Sequence, residues 1–341
     1  MPPPIPERNR RVYFVGAGLS KALGLPNTAE LLTAVLKLAR RSKRWRETER
    51  LPTRIDAAAK YFYPDAENKG YRPDVVDFFS ALRTYIDVGA GLRGGFQDAP
   101  ELFRALKFAL AQLLVEGIRE IDTKLERGHG YLDRVVRPGN IAVTSNWDLV
   151  LERYAALHDV PLRLVGYDKN DFVVLKLHGS IDWCTNRRRS TRYTDVSYSS
   201  LRERLFAPSS YRLKVPRARD DLVRIRALDR WSNGWSRISS RALELHMVTM
   251  ARGKAGDLGP LQEIWRDAYG ALSRASRLEI VGYSLPDDDI EIRTLLRAAI
   301  LRGDGPSRLI TRNPAPDVHE RVWRFLSRNA EPNYQGIAPL R

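Results

Sequence analysis

Cysteine is almost missing from this chain: Cys184 is the one thiol in 341 residues. A single thiol excludes an intrachain disulfide framework, and it excludes any zinc site that needs two or more thiolates. Long apolar runs are missing too. No stretch reaches the roughly 18 uninterrupted apolar residues that mark a membrane-spanning helix. The opening MPPPIPERNRR has no apolar core of signal-peptide length. These shortages predict a reducing, cytoplasmic setting with no membrane contact. Acids are in deficit, 41 against 57 Lys and Arg, which leaves a net charge of +16. Such an excess fits attraction to polyanions, including nucleic acid, or a plain solubility preference; it says nothing about fold. What the chain does have is a normal apolar share, 43%. That suffices for a well-filled core, and the length fits one large domain with insertions or two smaller ones.

The stretch Arg11 to Ser20, RVYFVGAGLS, organises the rest. Val12 to Val15 has the character of a buried parallel strand, and Gly16-Ala17-Gly18 then turns toward a helix over Ser20–Leu25. Glycines at such a turn let the backbone approach a ligand, and a helix N-terminus offers amides to a phosphate. A diphosphate cradle is one reading; a tight turn serving packing alone is the other. The dinucleotide pattern G-x-G-x-x-G is broken by Lys21, and no acid stands at the customary distance downstream.

Helical spacing continues over Thr28 to about Arg50, Ile55–Tyr63, Val75–Tyr85 and Leu102–Leu125, so residues 28–137 read as a helical insertion. The basic run Arg40–Arg46 reads as a solvated face, and GAGLRGG at Gly89–Gly95 as a flexible joint. Strands then resume at Asn140–Ser145, Phe172–Leu177, Leu278–Val281 and Ser307–Thr311, with helices over Leu149–His158 and Asp288–Leu301. The alternation predicts an α/β fold, a doubly wound, Rossmann-like parallel sheet with ligands at the C-terminal ends of its strands. Residues 184–241 form a second insertion with fifteen basic residues against five acids, and with tryptophans and tyrosines interleaved. It suits a lid, a subunit-facing surface or a nucleic-acid contact.

The strand ends carry the candidate chemistry. His178 follows the apolar run FVVLKL and precedes a Gly-Ser turn, which places an imidazole suited to proton transfer at the ligand edge. His129, His158, His246 and His319 read as structural. Asn146 and Asp148 stand one residue apart after a strand, as site residues or as the cap of the next helix. Gly282 and Ser284 offer a second phosphate or ribose contact. Asp287, Asp288 and Asp289 read as acids favoured at a helix start, with a metal site as the weaker alternative; no metal is assigned.

Taken in order, GAGLS with GLP at Gly24–Pro26, TSNWD, LHGS, GYSLPDDD and TRNP resemble the sirtuin-like family of NAD-consuming enzymes. The resemblance spans nearly the whole chain. It is to the bacterial branch that hydrolyses NAD in antiphage defence, because Cys184 is alone where deacetylating members carry a four-cysteine zinc module. Asn27-Thr28-Ala29 likewise replaces their Asp-Phe-Arg run. The resemblance implies that Gly16, Ala17, Gly18 and Ser20 hold the diphosphate of NAD+. It implies that Asn146 orders the attacking water and the nicotinamide ribose, with Asp148 near the nicotinamide amide and His178 as general base. Gly282 and Ser284 would face the adenosine, and Asn313 the adenine ribose. Ser145 stands where the family has glutamine, which points away from peptide-directed acyl chemistry. The implied activity is an NAD+ hydrolase releasing nicotinamide and ADP-ribose, with NAD+ as substrate, acting as a homo-oligomer or with a separate activator. A non-catalytic NAD or ADP-ribose sensing module and a nucleic-acid-associated subunit are the alternatives, ahead of an ADP-ribosyl transferase or a deacylase.

Overall fold

The computed structural model describes residues 10–65, 73–88, 98–186, 222–224, 243–249, 258–259, 261–301 and 306–326. The chain opens with β1 (Arg10–Val15), of which Val12, Tyr13, Phe14 and Val15 are all buried. A strand buried on both faces needs a continuous apolar run rather than an alternating one. Short helix α1 (Ala17–Leu23) follows and stops at Gly24, whose φ of 118° lies in the left-handed region.

Helices then hold the chain until the second strand: α2 (Thr28–Arg41), α3 (Leu51–Phe62), α4 (Val75–Val88), α5 (Ala99–Glu126) and α6 (Leu132–Val135). At the head of α2 the Asn27 side chain accepts from the Glu30 amide at 3.2 Å, and the Glu30 carboxylate accepts from the Asn27 amide at 3.1 Å. The helix expected to run on to Arg50 instead ends at Ser42, and residues Arg44–Thr48 make one π-helical turn. The break turns Trp45 inward, where it is 1% exposed and its Nε1 donates to Gln112 of α5 at 2.8 Å. Helical spacing signals burial but does not reveal which single tryptophan will pull a helix off course. The joint expected at residues 89–95 lies outside the described residues.

Strand β2 (Ile141–Thr144), helix α7 (Val150–Leu157), β3 (Leu162–Arg163) and β4 (Phe172–Lys176) come next. Then β5 (Gly179–Asn186), β6 (Leu222–Arg224) and β7 (Leu243–Met247) form a separate antiparallel sheet in the order β6-β5-β7. Among the described residues that follow are α8 (Gln262–Ser273), β8 (Ala275–Val281), α9 (Ile290–Leu301), β9 (Arg308–Arg312) and α10 (Pro316–Leu326). Sequence spacing missed β3, α8, α10 and the small sheet. The basic stretch 184–241 falls almost entirely outside the described residues; its described pieces are 184–186, the end of β5, and β6.

The six-stranded sheet is parallel throughout, in the order β3-β4-β2-β1-β8-β9, so the α/β, Rossmann-like fold expected from the strand rhythm is what forms. Val12 pairs with Ile141 on one side and Leu278 on the other. The chain builds outward from β1 through β2 and β4, then returns to the opposite side with β8 and β9. That reversal at the β1–β8 boundary leaves a crevice outside the carboxyl ends of the strands, the usual ligand position in open α/β sheets. No helix among the described residues is long and apolar enough to cross a membrane.

Candidate functional site

A cavity of about 900 Å³ fills that crevice. Every strand end singled out in the sequence reaches it. Ala17 and Gly18 come from β1–α1, Ser145 and Asn146 from the end of β2, and His178 from the end of β4. Gly282 and Ser284 follow β8, and Asn313 follows β9. Gly16, Ser20 and Asp148 are not on the wall; they lie behind it.

The glycines are dictated by protein packing. The Gly16 amide donates to the Val281 carbonyl at 2.9 Å and the Gly18 amide to the Gly282 carbonyl at 2.8 Å. A Cβ on Gly16 would sit 2.6 Å from the Tyr283 Cα, and one on Gly18 2.7 Å from the Gly282 Cα. Gly282, at φ 61°, could carry a Cβ only 2.3 Å from the Leu19 nitrogen. The amides at Gly16 and Gly18 are therefore committed to β8, and that of Leu19 to the Gly16 carbonyl. The turn meets the cavity through Ala17 and Gly18, as bare backbone without bulky side chains.

Behind the wall runs a polar chain that fixes Asn146. Thr144 donates to the Val15 carbonyl at 2.8 Å and accepts from the Asn146 amide at 3.0 Å. The Asn146 Nδ2 donates to Ser20 Oγ at 3.1 Å, and Ser20 donates to Asp148 Oδ2 at 2.7 Å. Asp148 Oδ1 accepts from the Val150 amide at 3.0 Å, so this carboxylate satisfies the first amide of α7 from just ahead of its N-cap Leu149. Replacing Ser20 with alanine leaves a buried carboxylate oxygen and the Asn146 amide without their shared partner. The expected result is a stability loss of about 1–3 kcal/mol, read by denaturant unfolding.

Deeper still, Lys176 donates to the Asp148 carbonyl and to Glu152 Oε1, the latter at 2.9 Å, with both side chains almost fully buried. Burial pushes the Glu152 carboxyl up against the pull of Lys176, and Asp182 adds to the rise. Lys176→Met would strand that carboxylate. Chemical denaturation should show a loss of about 3–5 kcal/mol.

His178 is 1% exposed and sits where the chain leaves one sheet for the other. Its carbonyl accepts from the Val248 amide at 2.9 Å, and Trp265 of α8 donates to the preceding Leu177 carbonyl at 2.9 Å. Gly179, at φ 72°, lies so close to β7 that a Cβ would come 2.0 Å from the His246 carbonyl oxygen. The His-Gly pair is thus set by the sheet crossover. His178 Nε2 lies 3.6 Å from Asp289 Oδ1, and Asp289 Oδ2 accepts from the Tyr283 hydroxyl at 2.9 Å. Burial, then the Asp289 charge, pushes the Tyr283 phenol well up.

The three acids after Pro286 do not share one role, although their sequence predicts that all serve the helix start. Asp287 does stand exposed, paired with Arg293 at 2.6 Å, but Asp289 is buried against His178. Ahead of Pro286, Leu285 takes φ 54°, rare for a side-chain-bearing residue, and no local pattern signals such a turn. Tyr283, Lys21, Arg312, Asp74 and Asp77 are further wall residues that the sequence did not single out. Arg312 is held by Glu279 at 2.7 Å; burial alone would raise that carboxyl, but Arg312 and Arg277 hold it below its usual range. Asn313 Oδ1 accepts from the Ala315 amide at 3.0 Å. His158 and His319 hydrogen-bond backbone carbonyls of Leu125 and Asn313. Among the described residues no group of three or more His, Cys, Asp or Glu is arranged to hold a metal ion.

No protein-family model matches the chain, and no curated protein does. Two solved Sir2 structures show a likeness. One, in complex with the inhibitor EX-527, 2′-O-acetyl-ADP-ribose and a deacetylated p53 peptide, is 14% identical over 91% of this chain and 85% of its own, with a TM-score of 0.33. The other, described for the mechanism and regulation of Sir2 enzymes, is 14% identical over 91% and 81%, with a TM-score of 0.30. The likeness is faint. It carries no argument about activity, which rests instead on the cavity and the strand-end motifs.

Proposed function

We propose that this chain is an NAD+ hydrolase that cleaves the nicotinamide–ribose bond to give nicotinamide and ADP-ribose. One observation carries the reading: Asn146 and His178 line the same cavity at the switch point of a parallel sheet, on motifs that resemble those of NAD-consuming enzymes. The chemistry asks little more. Nicotinamide leaves NAD+ as a neutral molecule from a cationic glycoside, so no general acid is needed. What is needed is a fixed sugar geometry, a placed water and a base. With its nitrogen tied to Ser20, Asn146 would offer its amide oxygen to the water or a ribose hydroxyl, and His178 would take the proton. Asp148 acts through Ser20 rather than on the substrate. The half-buried backbone at Ala17 and Gly18, which borders the cavity, would admit the diphosphate, and Lys21 would supply its counter-charge. Gly282, Ser284 and Asn313 would flank the adenosine, while the carboxylates of the wall favour the cationic nicotinamide ring.

The setting that fits is the cytoplasm and antiphage defence by NAD+ depletion, with a second copy or a separate activator as partner. Incubation of the purified protein with NAD+, with nicotinamide and ADP-ribose followed by chromatography, tests the reading. Both products should accumulate together. Tight NAD+ binding without product over hours would replace the hydrolase with a sensing module.

A further inference from the structure

Asp289 is placed in a way that a helix-start acid does not require. A carboxylate can favour a helix N-terminus while fully hydrated, as the exposed Asp287 shows. Asp289 instead gives up water, being 7% exposed, which is unfavourable unless its oxygens find compensating partners. Those partners come from two different strand ends. Tyr283, buried and set edge-on against Phe14 of β1 at 4.8 Å, holds Oδ2 through its hydroxyl at 2.9 Å. The second oxygen, Oδ1, is thereby directed at His178 Nε2, 3.6 Å away. That separation is an ion-pair distance and longer than a direct hydrogen bond; contacts of this kind commonly tighten when substrate binds.

We propose that Asp289, anchored by Tyr283, is the positioning residue for His178 in the hydrolase reading above, on which this inference rests. Asp289 keeps the proton of the neutral imidazole on Nε2, which leaves Nδ1, buried in this structure, as the nitrogen to accept a proton from the water or ribose hydroxyl when substrate seats against the ring. Nothing else is transferred: Asp289 stays ionised, and it stabilises the imidazolium until the proton leaves to solvent. The role is one of orientation and charge, because the carboxylate acts through the imidazole.

The test combines kinetics and spectroscopy on the full chain. kcat and KM for NAD+ are measured for wild type, Asp289→Asn, Asp289→Glu and Tyr283→Phe. The His178 tautomer is read by long-range ¹H–¹⁵N NMR, its signals assigned by their loss in His178→Gln. Asp289→Asn should lower kcat on the order of 100-fold with KM within about threefold, Asp289→Glu should recover at least a tenth of wild-type kcat, and Tyr283→Phe should cost a few-fold. The wild-type ring should carry its proton on Nε2 and lose that preference in Asp289→Asn. A kcat within threefold of wild type in Asp289→Asn, a loss confined to KM, or an unchanged tautomer overturns the inference. If wild type itself releases no nicotinamide, the hydrolase reading fails, and the tautomer measurement still decides whether Asp289 orients His178. If Asp289→Asn does not fold, the wild-type tautomer decides: a proton on Nε2 supports the inference, and a proton on Nδ1 overturns it.

Discussion

Replacing His178 with alanine is expected to slow nicotinamide release from NAD+ by about 10²–10⁴-fold while leaving the fold in place. The size follows from what a positioned base contributes to proton transfer. The survival of the fold follows from where His178 is tied down: the bond from the Val248 amide reaches its backbone carbonyl, which alanine retains. Asn146→Ala should show a similar loss for a different reason. Its amide fixes reacting groups in place, and losing that geometry costs turnover more than affinity. Both variants should keep the far-UV circular dichroism of wild type and still bind NAD+. Full activity in the two variants would refute the assignment, since no other imidazole of the described residues lines the cavity.

The second large effect is structural. Gly179→Ala should destabilise the protein by about 2–5 kcal/mol, from the left-handed backbone together with an overpacked contact. The added methyl would meet the His246 carbonyl oxygen at 2.0 Å, and that carbonyl belongs to β7, whose register with β5 pairs Gly179 with Met247. Neither side can yield without breaking the small sheet. Gly166→Ala is the matching control. Gly166 has nearly the same φ, 73°, and an added methyl there would meet nothing within 4 Å, so only the conformational cost of about 1–2 kcal/mol should remain. Guanidinium unfolding midpoints of the two variants separate contact from conformation. Equal losses would mean that the crossover is looser than its geometry indicates.

Much of this architecture was legible in the chain itself. Parallel strands buried on both faces must be uniformly apolar, so VYFV, IAVT and FVVLK announced themselves, and the residues just after them marked the ligand edge. Asn146 and His178 could be picked out because each closely follows such a run. What stayed hidden depends on tertiary approach. Asp74 and Asp77 reach the cavity from the start of α4, far away in sequence, and Asp74 also accepts from the Asp77 amide at 2.9 Å, so locally they look like ordinary helix-start acids. Asp289 was masked by two identical neighbours, and what sets it apart is tertiary: His178 and the Tyr283 hydroxyl face it. The glycines were recognised as special, but the close backbone packing against Gly282 and Tyr283 that demands them lay across the sheet.

That interlock of Gly16, Gly18 and Gly282 also limits how the cavity can change shape. Two loops fused through their main chains at under 3 Å behave as one rigid floor, and neither can slide without dragging β1 or β8. The starts of α2 and α4, which contribute Asn27, Asp74 and Asp77 to the wall, take no part in that interlock. Selectivity in this molecule is best sought there.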